Sequence, residues 1–290
     1  MTLRALIFGS SGQVGTALQQ MARSSTSIVA HDLDQTDIRD RSAVARAIAD
    51  AKPEIVINCA AFTNVDGAEA RADEAMEANG AAPGVIAEAT ARASVRFIHI
   101  STDYVFDGCG HIPYTTDAAV GPINVYGATK LEGERRVLAA AANSVVVRTA
   151  WVHSGGGVNF VRTVVRLLTK GTPMKVVDDQ IGTPTRASHL AEALWRIAEL
   201  TDLRGVLHFT DAGVASWFDV AVVVRETLEN AGRVGAAAVV TPIPSDQFPT
   251  AARRPKYAVL DKHSSWKAIG YQPPHWREGI IDSTRELMNA

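Results

Sequence analysis

Tyr126 and Lys130 stand four residues apart in the segment Tyr126-Gly127-Ala128-Thr129-Lys130. On a helix that spacing puts a phenol and an ammonium group on one face. An ammonium beside a phenol favours the phenolate and lowers the tyrosine pKa toward the working range of an acid–base catalyst. The chemistry would be proton transfer at an oxygen atom of a bound molecule. The spacing alone fits an exposed aromatic–lysine pair as well, so its meaning rests on what lies upstream. There, Ser101-Thr102-Asp103-Tyr104-Val105-Phe106 follows an apolar run and offers the Thr102 hydroxyl. At a strand end this hydroxyl either caps backbone or faces the same crevice as Tyr126. In the crevice it would hold by hydrogen bond the oxygen that Tyr126 protonates.

A second group of residues points to a dinucleotide. Gly9-Ser10-Ser11-Gly12-Gln13-Val14-Gly15 separates an apolar run from a helical pattern. Glycines at this spacing allow a tight turn, close approach of backbone to a pyrophosphate, and close helix–strand packing. The backbone of Ser11, Gln13 and Val14 would then meet the phosphates at the positive end of a helix. Asp32 closes the next apolar run, where a carboxylate accepts hydrogen bonds from the adenosine ribose. An acid there disfavours a 2′-phosphate, whereas Arg39 and Arg41 offset that repulsion, so NADPH and NADH both stay open. Asp37 and Ile38 either frame the adenine or belong to a polar loop. Asn58-Cys59-Ala60-Ala61 and Thr63 follow the third run, and the small residues let a cofactor pass close to the sheet edge. Lys130 would bind the nicotinamide ribose beside Tyr126.

The elements that must position these groups alternate along the chain. Strands are expected at Leu3–Phe8, Ser27–His31, Ile55–Ile57, Val95–Ile100 and Ser144–Arg148. Helices are expected at Gln13–Met21, Asp40–Asp50 and Asn124–Ala141, with Ala68–Arg92 as one or two helices broken near Gly80–Pro83. This order of apolar runs and amphipathic segments predicts an α/β fold: a Rossmann-type, doubly wound parallel sheet covered on both faces. Later, Asn159–Thr169, Ala187–Leu200 and Ser216–Ala231 read as helices and Val206–Thr210 as a strand. Thr241–Pro274, rich in proline and arginine, reads as loops and short elements. The organisation expected is a dinucleotide-binding domain over 1–150 and a smaller, mainly substrate-binding C-terminal lobe over 151–290, interleaved with it.

Composition bounds the rest. A formal net charge of −2 over 290 residues gives no electrostatic reason to expect nucleic acid or an anionic membrane. Cys59 and Cys109 are the only cysteines and form no C-x-x-C pair, so no metal site is expected. No segment reaches the ~20 apolar residues of a membrane span, and the N-terminal apolar run is too short for a signal peptide. A cytoplasmic protein is the expectation.

Taken together, the glycine loop, the Asn-Cys-Ala-Ala turn, Ser-Thr-Asp-Tyr-Val-Phe and Tyr-Gly-Ala-Thr-Lys resemble the extended short-chain dehydrogenases/reductases. Arg148-Thr149-Ala150-Trp151-Val152, Asp178-Asp179-Gln180-Ile181-Gly182-Thr183-Pro184-Thr185 and Ala252-Arg253-Arg254-Pro255 narrow the resemblance to the dTDP-4-dehydrorhamnose reductases. It covers nearly the whole chain. It implies NAD(P)H-dependent reduction of the C4 ketone of a dTDP-linked 4-keto-6-deoxysugar, dTDP-4-dehydro-L-rhamnose, with Thr102, Tyr126 and Lys130 as the catalytic triad. It implies a sugar pocket lined by Asp103, Tyr104 and Trp151, and a substrate lobe that uses Gln180, Thr185, Arg253 and Arg254. The arginines suit a diphosphate because the guanidinium fork bonds it in pairs, although a solvated basic pair would look the same in sequence.

Some members of the family carry a glutamate, implicated in a magnesium-bridged dimer, where this chain has Ala17, so a monomer or a homodimer without that metal is expected. Asn64 and Gly67 also depart from the pattern. Related 4,6-dehydratases carry an acid where this chain has Tyr104, which argues against water elimination. Two alternatives stay: a reductase of another nucleotide-linked 4-keto-deoxysugar, and a non-catalytic regulatory subunit of the same fold.

Overall fold

The computed structural model describes residues 2–235 and 237–289. Short runs rich in apolar residues form the strands β1 (Leu3–Phe8), β2 (Thr26–His31), β3 (Ile55–Asn58), β4 (Arg96–Thr102) and β5 (Val145–Thr149), with β2 part-buried at the sheet edge. Between them run α1 (Gln13–Gln20), α2 (Arg41–Ala51), α3 (Val65–Ala70), α4 (Ala72–Ala75), α5 (Ala82–Arg92) and α6 (Val125–Ala140). The second half adds β6 (Val152–His153), α7 (Phe160–Thr169), β7 (Met174–Val177), β8 (Ile181–Gly182), β9 (Thr185–Arg186) and α8 (Ala187–Glu199). It closes with β10 (Gly205–His208), β11 (Ala215–Ser216), α9 (Trp217–Asn230), β12 (Val240–Ile243), α10 (His263–Ile269) and α11 (Trp276–Asn289).

The main sheet is parallel with order β10-β5-β4-β3-β1-β2. Successive side chains on a strand point to opposite faces. Ala5 and Ile7 therefore pack with Leu18, Leu190, Leu194 and Trp195 from α1 and α8, while Leu6 and Phe8 pack with Val44, Ile48, Ile86 and Val137 from α2, α5 and α6. Strand order reverses between β1 and β3, and such a reversal opens a crevice at the carboxyl ends of the strands. A third apolar cluster joins α7, α9 and α11 around β7 and β12.

One local reading needs correction. Ala68–Arg92 is not broken near Gly80–Pro83. The interruption falls at Arg71, and Met76–Ala81 then continues as a π turn into α5. The π turn carries Asn79 into the interior, where its amide bonds both the N–H and the carbonyl of Phe62 and reaches Thr129. Thr241–Pro274 holds loops and short elements: β12 pairs with β7, and α10 packs its Trp266 and Ile269 under the sheet. Asn64 and Gly67 act together, since the Asn64 side chain caps α3 by accepting the Gly67 N–H at 2.8 Å. Ala17 is buried in the core beside Leu18. Among the described residues, no helix is long and apolar enough to cross a membrane.

Candidate active site

The cleft at the switch point encloses about 950 Å³. Its floor is the glycine loop. Gly9 has φ +76°, and a Cβ there would fall 2.5 Å from the Ala60 nitrogen, so the loop and the turn after β3 approach as only glycine allows. Gly15 does not line the cleft; a Cβ on it would meet the Gly9 carbonyl at 2.2 Å, which makes it a packing glycine. The N-cap of α1 is Gly12 and supplies no side-chain acceptor. The first N–H groups of α1, at Gln13 and Val14, therefore suit a phosphate. The cradle fits a dinucleotide.

Asp32 accepts the Ser11 N–H at 2.8 Å and its neighbour Leu33 N–H at 2.9 Å. The hydrogen bonding from Ser11 holds its carboxyl below the ordinary range. Asp37 is gripped by the Arg39 guanidinium at 2.7–3.1 Å, so Arg39 already has an anionic partner. Ile38, Ala60, Ala61 and Thr63 complete this wall. Gln13 reaches sideways: its carbonyl oxygen accepts from Ser154 at 2.9 Å and from Asn159 at 2.8 Å, tying the glycine loop to the segment after β6.

Thr102, Tyr126 and Lys130 converge on the same cleft. Thr102 ends β4, and α6 opens one residue before Tyr126, capped by the Asn124 side chain accepting from the Gly127 N–H at 2.7 Å. A Cβ on Gly127 would lie 2.1 Å from the Tyr104 carbonyl. The glycine thus lets α6 press against the 3-10 turn after β4, Asp103–Val105, and brings phenol and hydroxyl together. Thr102 donates to Asp103 Oδ1 at 2.9 Å and accepts the Tyr104 N–H at 3.2 Å, with Tyr126 facing it across the cleft.

Burial pushes Tyr126 up to about 12, opposed by the Thr102 hydroxyl and reinforced by the Asp103 charge. Burial likewise pulls Lys130 down to about 8, opposed by Glu134, and its ammonium donates to the Ile100 carbonyl at 2.6 Å. The expected lowering of the Tyr126 pKa by Lys130 is therefore not what governs this phenol; desolvation outweighs it. Asp103, buried with one carboxylate oxygen unpartnered, is raised to about 7 by desolvation.

On the far side, Tyr104 packs edge-on against Tyr126 at 5.7 Å between ring centres. Trp151 stacks on Trp217 at 3.6 Å and 10°. Trp151 holds φ +47°, a conformation costly for a side chain of this size. The Trp217 stack, the Gly182 backbone and the Thr185 N–H on its carbonyl fix it there. Arg254 reaches the cleft with its guanidinium paired to both oxygens of Asp66, at 2.7 and 3.1 Å. Arg253 is exposed and its carbonyl accepts from Asn124 at 2.8 Å. Gln180 and Thr185 are buried, behind the wall of the cleft rather than on it. Sequence reasoning missed Trp217, Phe160, Asn159 and Asp66, all of which border or brace the cleft. Trp217 sits there because β11 pairs with β8, a pairing of two-residue strands with no sequence signature.

The profile of the RmlD substrate binding domain family matches residues 3–289. The chain belongs to this family. It is 42% identical over 294 residues to a dTDP-4-dehydrorhamnose reductase of Mycolicibacterium smegmatis, covering 100% of this chain and 88% of that one. A dTDP-4-keto-6-deoxy-D-glucose reductase of Streptomyces niveus is 37% identical across 100% of this chain and 99% of its own. The crystal structure of a Bacillus anthracis dTDP-4-dehydrorhamnose reductase in complex with NADP superposes with a TM-score of 0.91 at 33% identity, over 100% of both chains. In this RmlD-family chain the Thr102–Tyr126–Lys130 cluster and the glycine loop thus share one crevice of a fold seen with a nicotinamide dinucleotide in a relative.

Proposed function

We propose that this chain is an NAD(P)H-dependent reductase acting on the C4 ketone of dTDP-4-dehydro-L-rhamnose, yielding dTDP-L-rhamnose. The observation that carries the reading is one cleft holding a phosphate-ready helix end, the Thr102–Tyr126–Lys130 cluster and Arg254. Bound reduced nicotinamide supplies the hydride. Tyr126, protonated at neutral pH because burial holds it at about 12, gives its proton to the ketone oxygen as the hydride reaches carbon. Thr102 holds that oxygen by hydrogen bond. Lys130 anchors the nicotinamide ribose and stabilises the phenolate left behind, until solvent returns the proton.

Residues 1–150 mainly bind the dinucleotide and 151–290 mainly the sugar nucleotide. Asp103, Tyr104, Trp151 and Trp217 shape the sugar pocket, and Arg254 exchanges Asp66 for the diphosphate. Ala17, buried and without a carboxylate, supports a monomer or homodimer that needs no bridging metal. A cytoplasmic location agrees with a substrate of this polarity. The Streptomyces niveus relative favours a second reading, in which the 4-keto sugar has another stereochemistry.

The test follows oxidation of NADPH and NADH with dTDP-4-dehydro-L-rhamnose and with dTDP-4-keto-6-deoxy-D-glucose. Turnover of the first in clear excess is expected. Tyr126→Phe should lower kcat by about 10²–10⁴-fold with cofactor affinity kept; near-wild-type turnover would remove Tyr126 from the role of proton donor.

A further inference from the structure

Behind the catalytic helix lies a charge pair that the reduction chemistry does not use. Glu134 follows Lys130 by one helical turn, as Lys130 follows Tyr126, so the three lie on one face of α6. Glu134 and Arg148 are 2% and 5% exposed, and they meet through Nη2 at 2.7 Å and Nε at 2.9 and 3.2 Å. Ser101 donates to the same carboxylate at 2.5 Å. The register explains the cluster: Ser101 of β4, Arg148 of β5 and His208 of β10 are direct neighbours across three strands and face α6 together. Arg148 also bonds the Thr116 carbonyl and the His208 ring, and lies over the Phe106 ring at 5.2 Å.

A buried ion pair is a poor way to gain stability, because desolvation offsets its attraction and an apolar pair often serves as well. What this pair does hold is position. Ile100 takes the Lys130 ammonium, Ser101 takes Glu134, and Thr102 is the next residue. The end of β4 is thereby fastened to α6 at two successive rungs, immediately before the catalytic hydroxyl.

We propose that Glu134, balanced by Arg148, is a positioning residue that fixes Thr102 against Tyr126 and keeps Lys130 in its ammonium form within the cleft. The inference rests on the reductase reading of the same site. The other groups facing Lys130 cannot supply that counter-charge. Cys59, beyond β3, is a thiol pushed up to about 12 by burial, and His99 of β4 is held neutral by burial. Tyr126 stays protonated, and the π turn presents the uncharged Asn79 to Thr129. Glu134 is the carboxylate that opposes the desolvation of Lys130.

The experiment compares wild type, Glu134→Gln, Ser101→Ala and the double variant E134Q/R148M, which removes both charges of the pair and leaves no unpaired guanidinium. Two readouts are taken: the pH profile of kcat, and the titration of the Lys130 ammonium by NMR of 13C-labelled lysine, assigned with Lys130→Met. E134Q and the double variant should titrate Lys130 below the wild-type value of about 8. Their alkaline kcat limb should move down by the same amount, with kcat down tenfold or more and KM little changed. S101A should lower kcat without moving the titration. A merely structural pair would lower the melting temperature and leave the Lys130 titration in place, and that result overturns the proposal. The NMR titration needs no substrate, so it stands apart from whether the sugar is the right one. Absence of turnover in the wild type would sink the reductase reading alone.

Discussion

At the scale of the residue, the site is governed by desolvation. Lys130 ordinarily loses its proton near 10.5, and burial in the cleft brings it to about 8. Between these values the unfolded chain holds a proton that the folded chain has released, so stability carried by this group rises with pH across that window. The difference in urea midpoint between wild type and Lys130→Met should therefore move in favour of wild type from pH 8 to 10.5 and stay flat below it. A flat difference throughout would mean that the lysine is not desolvated. The chemistry of Tyr126 and Lys130 was legible from their spacing, and Thr102 from its place after an apolar run. The dominant sign of the Tyr126 shift was not, because spacing reports a neighbour's charge and says nothing about how much water surrounds it. Arg254 was legible as a basic group; its Asp66 partner, far off in sequence, was not.

At the scale of the element, the strands that carry the site were readable because each holds a short apolar run, buried on both faces in β1, β3 and β5 and only part-buried in the edge strand β2. In the second half Val206–Thr210 was readable and overlaps β10, whereas β6, β8, β9 and β11 were not, since they are two residues long and exist only through pairing. The π turn at Met76–Ala81 was invisible for a similar reason: its residues are ordinary helix formers, and the bulge exists to seat Asn79 between Phe62 and Thr129. α6 depends on one close approach. Gly127→Ala places a methyl group 2.1 Å from the Tyr104 carbonyl. Overpacking of this kind costs about 1–3 kcal/mol. The variant should show a lower urea midpoint and a kcat reduced more than its cofactor affinity, as α6 shifts away from Thr102. Unchanged kcat and midpoint would show that the helix can slide without cost.

At the scale of the molecule, the two halves share one core. β10 is the sixth strand of the parallel sheet, and α8 covers the face that holds Ala5, Ile7, Ile57 and Val147. A fragment ending at residue 150 would expose that face along its length. Its expected state is unfolded or aggregated, seen as loss of dispersed amide signals and of a cooperative urea transition; an independently folded fragment would show that the sheet closes without the second half. The sequence pattern placed the boundary near 150 because regular alternation stops there. It could not show that the chain later returns to the sheet, since Gly205–His208 is four residues long and its place follows from pairing with β5.

The Trp151–Trp217 stack has a consequence outside catalysis. Two indoles 3.6 Å apart and nearly parallel couple their electronic transitions, and this pair borders the cleft. The molecule therefore carries an optical reporter at the mouth of its own pocket, where any ligand that parts or tightens the rings changes ultraviolet ellipticity and emission without an added label.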